Sequence, residues 1–266
     1  MEFTVTIFLA RRIRRGLRPV LIFLALSPAA CATGPITAPD VKEHLSVITP
    51  PGPGKFPVVI FFQGTGGGNR RAEKWAQWFA QRGVASAMVD NAGLRYRDNL
   101  WGLGDYVQDA VMAWDLLAAY PKIDRNRFAL MGFSRGGRQT LKAGAAFGGK
   151  RAVPDFAFAF YPGGESLNTC TIRHAESTKV HIFYGTADQC GKAPFGFFLA
   201  CQEKSRRMQN AEFHAMPGAH HGFDDEYAYT FTLPKSKTII QAQPNPQAVA
   251  KTKEIIWKAI KEGWGL

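Results

Sequence analysis

The 266-residue sequence lacks internal repeats, low-complexity tracts and any composition break that would mark a linker. Its 27 Gly and 16 Pro fall in separate turns, and its 46% hydrophobic and 20% charged residues are ordinary values for a globular protein. A chain of this length without a linker is typical of one large folded domain.

Beyond its first residues the sequence also lacks long basic runs, although its formal net charge is +12. Five arginines fall between Arg11 and Arg18, and the remaining positive charge is spread thinly. A nucleic-acid face requires clustered basic residues. We therefore expect a solvated surface and no nucleic-acid partner.

The sequence has no apolar stretch of the roughly 20 residues that a membrane-spanning helix needs. The shorter stretch Pro19–Leu26 follows the arginines and precedes small residues, which is the pattern of an export signal. We therefore predict that residues 1–32 are either a signal cleaved after Ala32 or a lipoprotein leader acylated at Cys31. The protein is then periplasmic or secreted, and it meets a membrane only if Cys31 is lipidated.

Cysteine is scarce as well, since only Cys170, Cys190 and Cys201 lie beyond the leader. In an oxidising compartment at most one pair of the three can form a disulfide, and the sequence does not decide which. Metal binding by these cysteines is not expected, because no histidine or second cysteine lies at ligand spacing.

What the sequence does contain is an alternation of short apolar runs and helical patterns. Pro57–Phe62 is apolar throughout, which is typical of a strand buried on both faces of a parallel sheet. The order predicts a single α/β domain over residues 33–266, with helices on both faces of a mostly parallel sheet. Strands are expected at Glu43–Ile48, Pro57–Phe62, Val84–Val89, Phe128–Met131, Phe156–Phe160, Val180–Tyr184 and near Phe213, helices at 71–81, 105–119, 136–147, 194–209 and 247–261, and no regular structure over 224–246.

The strand Phe128–Met131 runs into Gly132-Phe133-Ser134-Arg135-Gly136 and then into a helical pattern. Small residues two positions before and two after Ser134 allow the strand and the helix to meet in a tight turn that exposes the hydroxyl. A plain glycine-rich turn can have the same five letters. The flanking strand and helix favour a nucleophilic serine.

A serine hydroxyl needs a base to take its proton and an acid to orient that base. Asp188 follows the strand Val180–Tyr184 at the edge where active sites of parallel sheets gather, although a helix cap or turn is the alternative role. His221 lies in the loop after the last short strand and is favoured as the base over His220.

Two backbone N–H groups are expected to stabilise the negative charge that develops when the serine attacks a carbonyl group. One is that of Arg135, and the second comes from the glycine-rich loop after Phe62, with Thr65 favoured over Gly66. A simple turn is the alternative. A phosphate loop is not expected, since no Gly-Lys-Ser/Thr follows.

A substrate-binding role is a hypothesis for three residues of the loop that follows the strand beginning at Val84. Arg95, Arg97 and Trp101 lie at the same edge of the predicted sheet, and together with Arg135 they can receive a carboxylate-bearing acyl group. The simpler interpretation is two solvated arginines and a packed tryptophan.

Four ordered motifs between Phe56 and Phe223 resemble the dienelactone hydrolase family of the α/β-hydrolases. They are Gln-Gly-Thr-Gly-Gly, Gly-Phe-Ser-Arg-Gly-Gly, Gly-Thr-Ala-Asp and Ala-His-His-Gly-Phe-Asp. The resemblance implies a triad of Ser134, Asp188 and His221, one domain without a large lid, no metal or organic cofactor, and hydrolysis of ester or lactone bonds.

The sequence departs from dienelactone hydrolase itself at two positions. The family enzyme has a cysteine where Ser134 stands and a glutamate near the position of Gln63, so the resemblance points to an exported serine carboxylesterase acting through an acyl-enzyme and away from dienelactone. A serine peptidase of the prolyl-oligopeptidase type and a catalytically silent exported binding protein remain as alternatives. The sequence predicts no oligomeric state.

Overall fold

The apolar runs of the sequence form a seven-stranded sheet in the computed structural model, which describes residues 36–65, 70–96, 106–149, 151–163, 170–190, 194–232 and 237–266. The sheet strands are Leu45–Ile48 (β1), Phe56–Phe62 (β2), Ala85–Val89 (β3), Ile123–Phe133 (β4), Phe156–Phe160 (β5), Lys179–Gly185 (β6) and Ala211–Met216 (β7). A separate hairpin consists of Tyr229–Thr232 (β8) and Ile239–Ala242 (β9).

Helices connect these strands. They are Ala38–Glu43 (α1), Arg70–Ala80 (α2), Asn91–Tyr96 (α3), Tyr106–Leu116 (α4), Arg135–Ala143 (α5), Pro194–Arg206 (α6) and Pro246–Trp264 (α7), with short 3₁₀ turns at Leu117–Ala119 and Gly144–Ala146. Gly34–Leu266 form one compact unit. Among the described residues, no helix has both the length and the apolar character needed to cross a bilayer.

The strand order is β1-β3-β2-β4-β5-β6-β7, and every pairing is parallel except that of β1 with β3. Successive residues of β2 point to opposite faces, so Val59 and Phe61 join the cluster that α2 and α7 cover, while Val58 and Ile60 join the cluster that α4 covers. Both faces are therefore buried, which explains the unbroken apolar run. The predicted mostly parallel α/β sheet with helices on both faces is confirmed.

Because neighbouring strands run in the same direction, their carboxyl ends lie at one edge of the sheet. Gln63 follows β2, Ser134 follows β4, Tyr161 follows β5, and the loop to Asp188 follows β6. Residues far apart in the sequence thus meet at this edge.

Three local predictions of secondary structure are wrong. In two of them a side-chain hydrogen bond lies at the start of a helix, and in the third two short strands pair with each other. The strand expected over Glu43–Ile48 begins only at Leu45, because residues 38–43 form α1. At the start of this helix the N–H of Thr37 donates to Asp40 Oδ2 over 2.8 Å. The loop expected to hold Arg95 begins with α3, in which the Gly93 N–H donates to Asp90 Oδ1 over 3.0 Å.

The third error concerns residues 224–246, which contain the hairpin of β8 and β9. Phe231 pairs with Ile240, and threonine alternates with aromatic residues along β8, which is a composition that favours strands. Ile240 and Ala242 are fully buried. The hairpin therefore packs on the body of the protein through one face of β9. The leader predicted at residues 1–32 lies outside the described residues.

One disulfide joins Cys170 to Cys201, whose Cα atoms are 4.8 Å apart, while Cys190 is a buried free thiol. Cys201 lies in α6 and is fully buried. The bond therefore anchors the segment that begins at Cys170 to the helix that covers β6 and β7.

We predict that Cys170→Ser lowers the free energy of unfolding by about 3 to 4 kcal/mol, the entropy expected for a closed loop of this size. The two cysteines are separated by 31 positions. Urea denaturation with and without a reducing agent measures the effect. The reductant should destabilise the wild type and leave Cys170→Ser unchanged; equal responses of the two proteins would contradict the prediction.

Candidate active site

Ser134 lies on the sharp turn between β4 and α5. Its φ of 53° and ψ of −113° are in a region that residues with a side chain rarely adopt, and the strain costs about 1–3 kcal/mol. Its N–H donates to the carbonyl of Phe160 over 3.0 Å, and the N–H of Arg138 in α5 donates to its carbonyl over 3.1 Å. Hydrogen bonds to β5 and α5 therefore fix the backbone of the serine at the edge of the sheet.

Two glycines make the turn sterically possible. A Cβ atom at Gly132 would collide with the carbonyl of Gly136 and the hydroxyl of Thr140, and one at Gly136 would collide with the carbonyl of Phe62. The backbones of β2, β4 and α5 therefore approach so closely that only glycine fits at both positions. This is the physical reason for the Gly-x-Ser-x-Gly pattern.

The structure brings Ser134, His221 and Asp188 into one chain of hydrogen bonds. The Ser134 Oγ lies 2.9 Å from His221 Nε2, and His221 Nδ1 lies 2.9 Å from Asp188 Oδ2. It is His221, and not the neighbouring His220, that lies between the other two. The imidazole and the carboxylate are buried, whereas the serine is half-buried and remains partly accessible.

The loops that carry Asp188 and His221 pack against each other. The N–H of Ala187 donates to the carbonyl of Ala219 over 3.0 Å, and the N–H of Gly218 donates to Thr186 Oγ1 over 2.8 Å. The second oxygen of Asp188 accepts the backbone N–H of Cys190 over 2.7 Å. Both oxygens of this buried carboxylate are therefore engaged, and the acid is fixed in position relative to the imidazole.

Two effects oppose each other on His221. Burial alone lowers the pKa of its imidazole, but the charge of Asp188 and the hydrogen bond to it favour the protonated form and outweigh burial. The pKa of His221 therefore lies above its ordinary value of 6.5. An imidazole in this environment is a stronger base than one in water.

The glycine-rich loop after β2 lies beside the serine. A Cβ atom built on Gly64 would be 3.8 Å from the Cβ of Ser134 and 3.5 Å from the carbonyl of Phe133. Thr65 comes next and is exposed, and Gly66 lies outside the described residues. Arg135 is the first residue of α5, so its N–H belongs to the first turn of the helix that begins at the serine. The oxyanion roles of Arg135, Thr65 and Gly66 stay predictions.

The side chains predicted to bind substrate lie outside the described part of the structure. Arg95 belongs to α3, not to a loop, and its side chain lies outside the described part of the structure. Arg97 and Trp101 fall wholly outside it. Their role in substrate binding stays a hypothesis.

A polar network that was not predicted from the sequence lies behind the imidazole. The ring of Tyr161 meets that of His221 edge-on at 4.8 Å, and the Tyr161 hydroxyl donates to Asp224 Oδ1 over 2.5 Å. Asp224 also accepts from the indole N–H of Trp75 over 2.9 Å and lies 3.5 Å from Arg71 Nε. Tyr161 directly follows a predicted strand at the catalytic edge, and that position is the signal that would have identified it.

Arg71 extends this network toward the glycine-rich loop. Its guanidinium forms a bidentate ion pair with Asp225 and lies over the rings of Phe133 and Tyr161, at 5.3 Å and 5.7 Å from their centroids. The start of α2 is thereby tied to the segment that follows His221. One set of side chains thus joins the start of α2 to the loop that carries His221.

Comparisons with known proteins agree with this architecture. A dienelactone hydrolase-like promiscuous phosphotriesterase from metagenomic libraries has 21% sequence identity and a TM-score of 0.59, with 80% of this chain and 88% of that chain covered. A putative dienelactone hydrolase from Klebsiella pneumoniae has 18% identity and a TM-score of 0.59, covering 81% and 91%. A thermophilic esterase from Thermogutta terrifontis has 19% identity and a TM-score of 0.58, covering 82% and 86%. No curated protein is significantly similar in sequence.

At such identities the solved structures establish a shared fold, and membership of a family rests on the sequence itself. The profile of the dienelactone hydrolase family matches residues 94–262, which is more than half of the chain and includes the segments of Ser134, Asp188 and His221. The chain therefore belongs to the dienelactone hydrolase family.

Proposed function

We propose that this protein is a serine hydrolase that cleaves carboxylic ester or lactone bonds through an acyl-enzyme on Ser134. The observation that carries the proposal is the continuous hydrogen-bonded chain from Ser134 Oγ through His221 to Asp188, with each link 2.9 Å long. A serine on a strained turn, next to a buried base that is itself paired to a carboxylate, is the arrangement that nucleophilic catalysis requires.

In the first half of the reaction His221 Nε2 takes the hydroxyl proton while Ser134 Oγ bonds to the substrate carbonyl carbon. Asp188 stabilises the resulting imidazolium through the Nδ1 hydrogen bond. The backbone N–H groups of Arg135 and Thr65 are proposed to hold the oxyanion, each such donor being worth about 3 to 4 kcal/mol. When the tetrahedral intermediate collapses, the alcohol leaves with the proton that His221 returns.

In the second half of the reaction, water hydrolyses the acyl-enzyme with the help of His221. His221 removes a proton from water as the water oxygen attacks the acyl carbon, and it then returns that proton to Ser134 Oγ as the acid product leaves. The imidazole is thus regenerated in its neutral form. No group is consumed, and the products are one alcohol and one carboxylic acid, or one hydroxy acid from a lactone.

The named relatives support esters as the substrate class, since those from Thermogutta terrifontis are esterases. One of these is described as phosphonylated by sarin, and the metagenomic relative is a promiscuous phosphotriesterase. Organophosphorus reagents are therefore suitable probes for this chain. A phosphonyl centre resembles the tetrahedral intermediate of ester hydrolysis and is attacked by the same nucleophile.

We also propose that the protein is exported, to the periplasm or beyond. The basic and apolar pattern of residues 11–26 followed by small residues supports export, and so does the Cys170–Cys201 disulfide, since such bonds persist in oxidising compartments.

The nucleophile assignment predicts that Ser134→Ala loses fluorophosphonate labelling and at least about a thousandfold of kcat with short p-nitrophenyl esters, since removing a triad nucleophile elsewhere costs more than this. The exposed Ser46 on β1 provides the matched control, and Ser46→Ala should label and turn over ester like the wild type. Equal labelling of Ser134→Ala and wild type would reject the nucleophile. A silent binding protein would leave both proteins unlabelled, and a peptidase would prefer peptide amides over esters.

The raised pKa of His221 predicts the direction of the pH dependence. Only the neutral imidazole accepts a proton, so kcat/KM should fall on the acid side, with an inflection above pH 6.5. Asp188→Asn removes the charge that raises this pKa. The inflection should therefore move to lower pH, and kcat should fall by about 10⁴ if the pair behaves as in other serine triads.

The control for that experiment is Asp115→Asn, which alters an exposed carboxylate paired with Arg151. It should leave both the inflection and the rate unchanged. Rates are corrected for the spontaneous hydrolysis of the ester at each pH. An inflection that stays in place in Asp188→Asn would contradict the proposed pairing.

The export proposal predicts the compartment in a Gram-negative bacterial host. The full chain should be recovered outside the cytoplasm in a shortened form, and a chain that begins at residue 33 should stay inside. Cell fractionation followed by mass spectrometry measures both. If Cys31 is acylated, Cys31→Ala moves the protein from the membrane fraction to the soluble one; recovery of an unshortened full chain in the cytoplasm would refute export.

A further inference from the structure

Three side chains with metal-binding atoms meet on one face of the sheet, near its β7 edge. His181 lies on β6, and Glu212 and His214 lie two positions apart on β7. The parallel register pairs His181 with Glu212 and Phe183 with His214. Because residues at alternate positions of a strand share a face, all three side chains point to the side of the sheet that α7 covers.

The distances among these atoms match those around a single ion. His181 Nδ1 lies 3.1 Å from His214 Nε2, and Glu212 Oε2 lies 3.7 Å and 3.6 Å from these two nitrogens. Imidazole and carboxylate ligands bind Zn²⁺ at about 2.0–2.2 Å, so two ligand atoms of one tetrahedral ion lie roughly 3.3–3.6 Å apart. The three atoms therefore need only small side-chain rotations to share an ion.

A hydrogen bond between the imidazoles accounts for only part of this arrangement. It uses one proton on the line between His181 Nδ1 and His214 Nε2, so neither of these nitrogens has a proton left for Glu212. The carboxylate oxygen nevertheless lies at nearly equal distances from both nitrogens. A cation placed among the three atoms would contact all of them.

The two rings are held in place before any ion arrives. His181 is 5% exposed and stacks on Phe158 at 5.4 Å between centroids, and His214 stacks on Phe183 at 4.9 Å. Packing of this kind reduces the conformational freedom that the ligands lose on binding. Glu212 is exposed, so it approaches the two imidazoles from the solvent side.

Burial affects the protonation of both imidazoles. Burial lowers the pKa of His181 to about 3, with help from His214 and Lys179. Burial likewise lowers the pKa of His214, where Lys251 acts in the same direction and Glu212 opposes it. The proton shared by His181 Nδ1 and His214 Nε2 has to move to another ring nitrogen before both of these atoms can bind one ion.

We propose that His181, Glu212 and His214 bind one divalent transition-metal ion, with Zn²⁺ the best match to two imidazoles and a carboxylate. The site is separate from the triad, because it lies within β6 and β7, whereas Asp188 and His221 lie on the loops beyond the carboxyl ends of these strands. The ion would join the edge strand β7 to β6. This inference does not depend on the proposed hydrolase activity.

The test uses tag-free protein that a chelator has stripped of metal. Calorimetric titration with Zn²⁺ should give one site per chain, Co²⁺ should give the visible absorption bands of a low-symmetry nitrogen and oxygen site, and either ion should raise the midpoint of thermal unfolding. Glu212→Gln and His214→Gln should each weaken Zn²⁺ binding at least about tenfold. The double variant should not bind.

Matched controls are Glu203→Gln and His44→Gln, which change the same residue types away from the cluster and should bind like the wild type. Glu212→Gln replaces an exposed side chain by one of the same shape, so it keeps the fold even if His214→Gln does not. Absence of Zn²⁺ and Co²⁺ binding by the wild type would overturn the proposal. So would binding that Glu212→Gln and His214→Gln leave unchanged, because the ion would then lie elsewhere.

Discussion

The close approach of three backbones around Gly132 and Gly136 is the constraint on which the rest of the site depends. The carbonyl of Phe62 at the end of β2 and the first turn of α5 meet so closely that Gly136 has no room for a side chain. This contact holds Ser134 at a positive φ, which costs about 1–3 kcal/mol and has to be offset by the packing of β2, β4 and α5. It also places the loop after β2 beside Ser134, so the serine and the glycine-rich loop are positioned by a single contact.

A second close contact positions Asp188 relative to His221. A side chain at Gly185 would collide with the backbone of Ala219, so the loop after β6 and the loop after β7 are in direct contact. The N–H of Thr186 donates to the carbonyl of Met216 over 3.0 Å, which continues the pairing of the two strands into the loops. The separation of Asp188 and His221 is therefore determined by the sheet, and the hairpin reinforces it through the bridge between His221 and Ala242.

Much of this was predictable because it follows from local patterns. The unbroken apolar runs predicted the sheet, Gly-x-Ser-x-Gly predicted the turn at Ser134, and the order of strands placed Asp188 and His221 at the edge where the structure has them.

What the sequence could not predict depends on contacts between distant segments. The choice of Cys201 as the partner of Cys170 depends on where α6 packs, and the meeting of His181 with His214 depends on the register of β6 and β7. The hairpin of β8 and β9 escaped prediction because its strands are short and only partly buried.

The carboxylates of Asp188 and Asp224 are both buried, and their different partners determine what each can do. Asp224 accepts from Tyr161 and Trp75 and lies beside Arg71, so its charge is matched by donors other than the imidazole. Asp188 has the Cys190 N–H on one oxygen and His221 on the other. Positive charge on His221 would therefore be stabilised chiefly by Asp188, while Asp224 holds Tyr161 against the edge of the ring. The partners of Asp224 are Tyr161, Trp75 and Arg71, so the Nδ1 hydrogen bond of His221 goes to Asp188, and Nε2 lies toward Ser134.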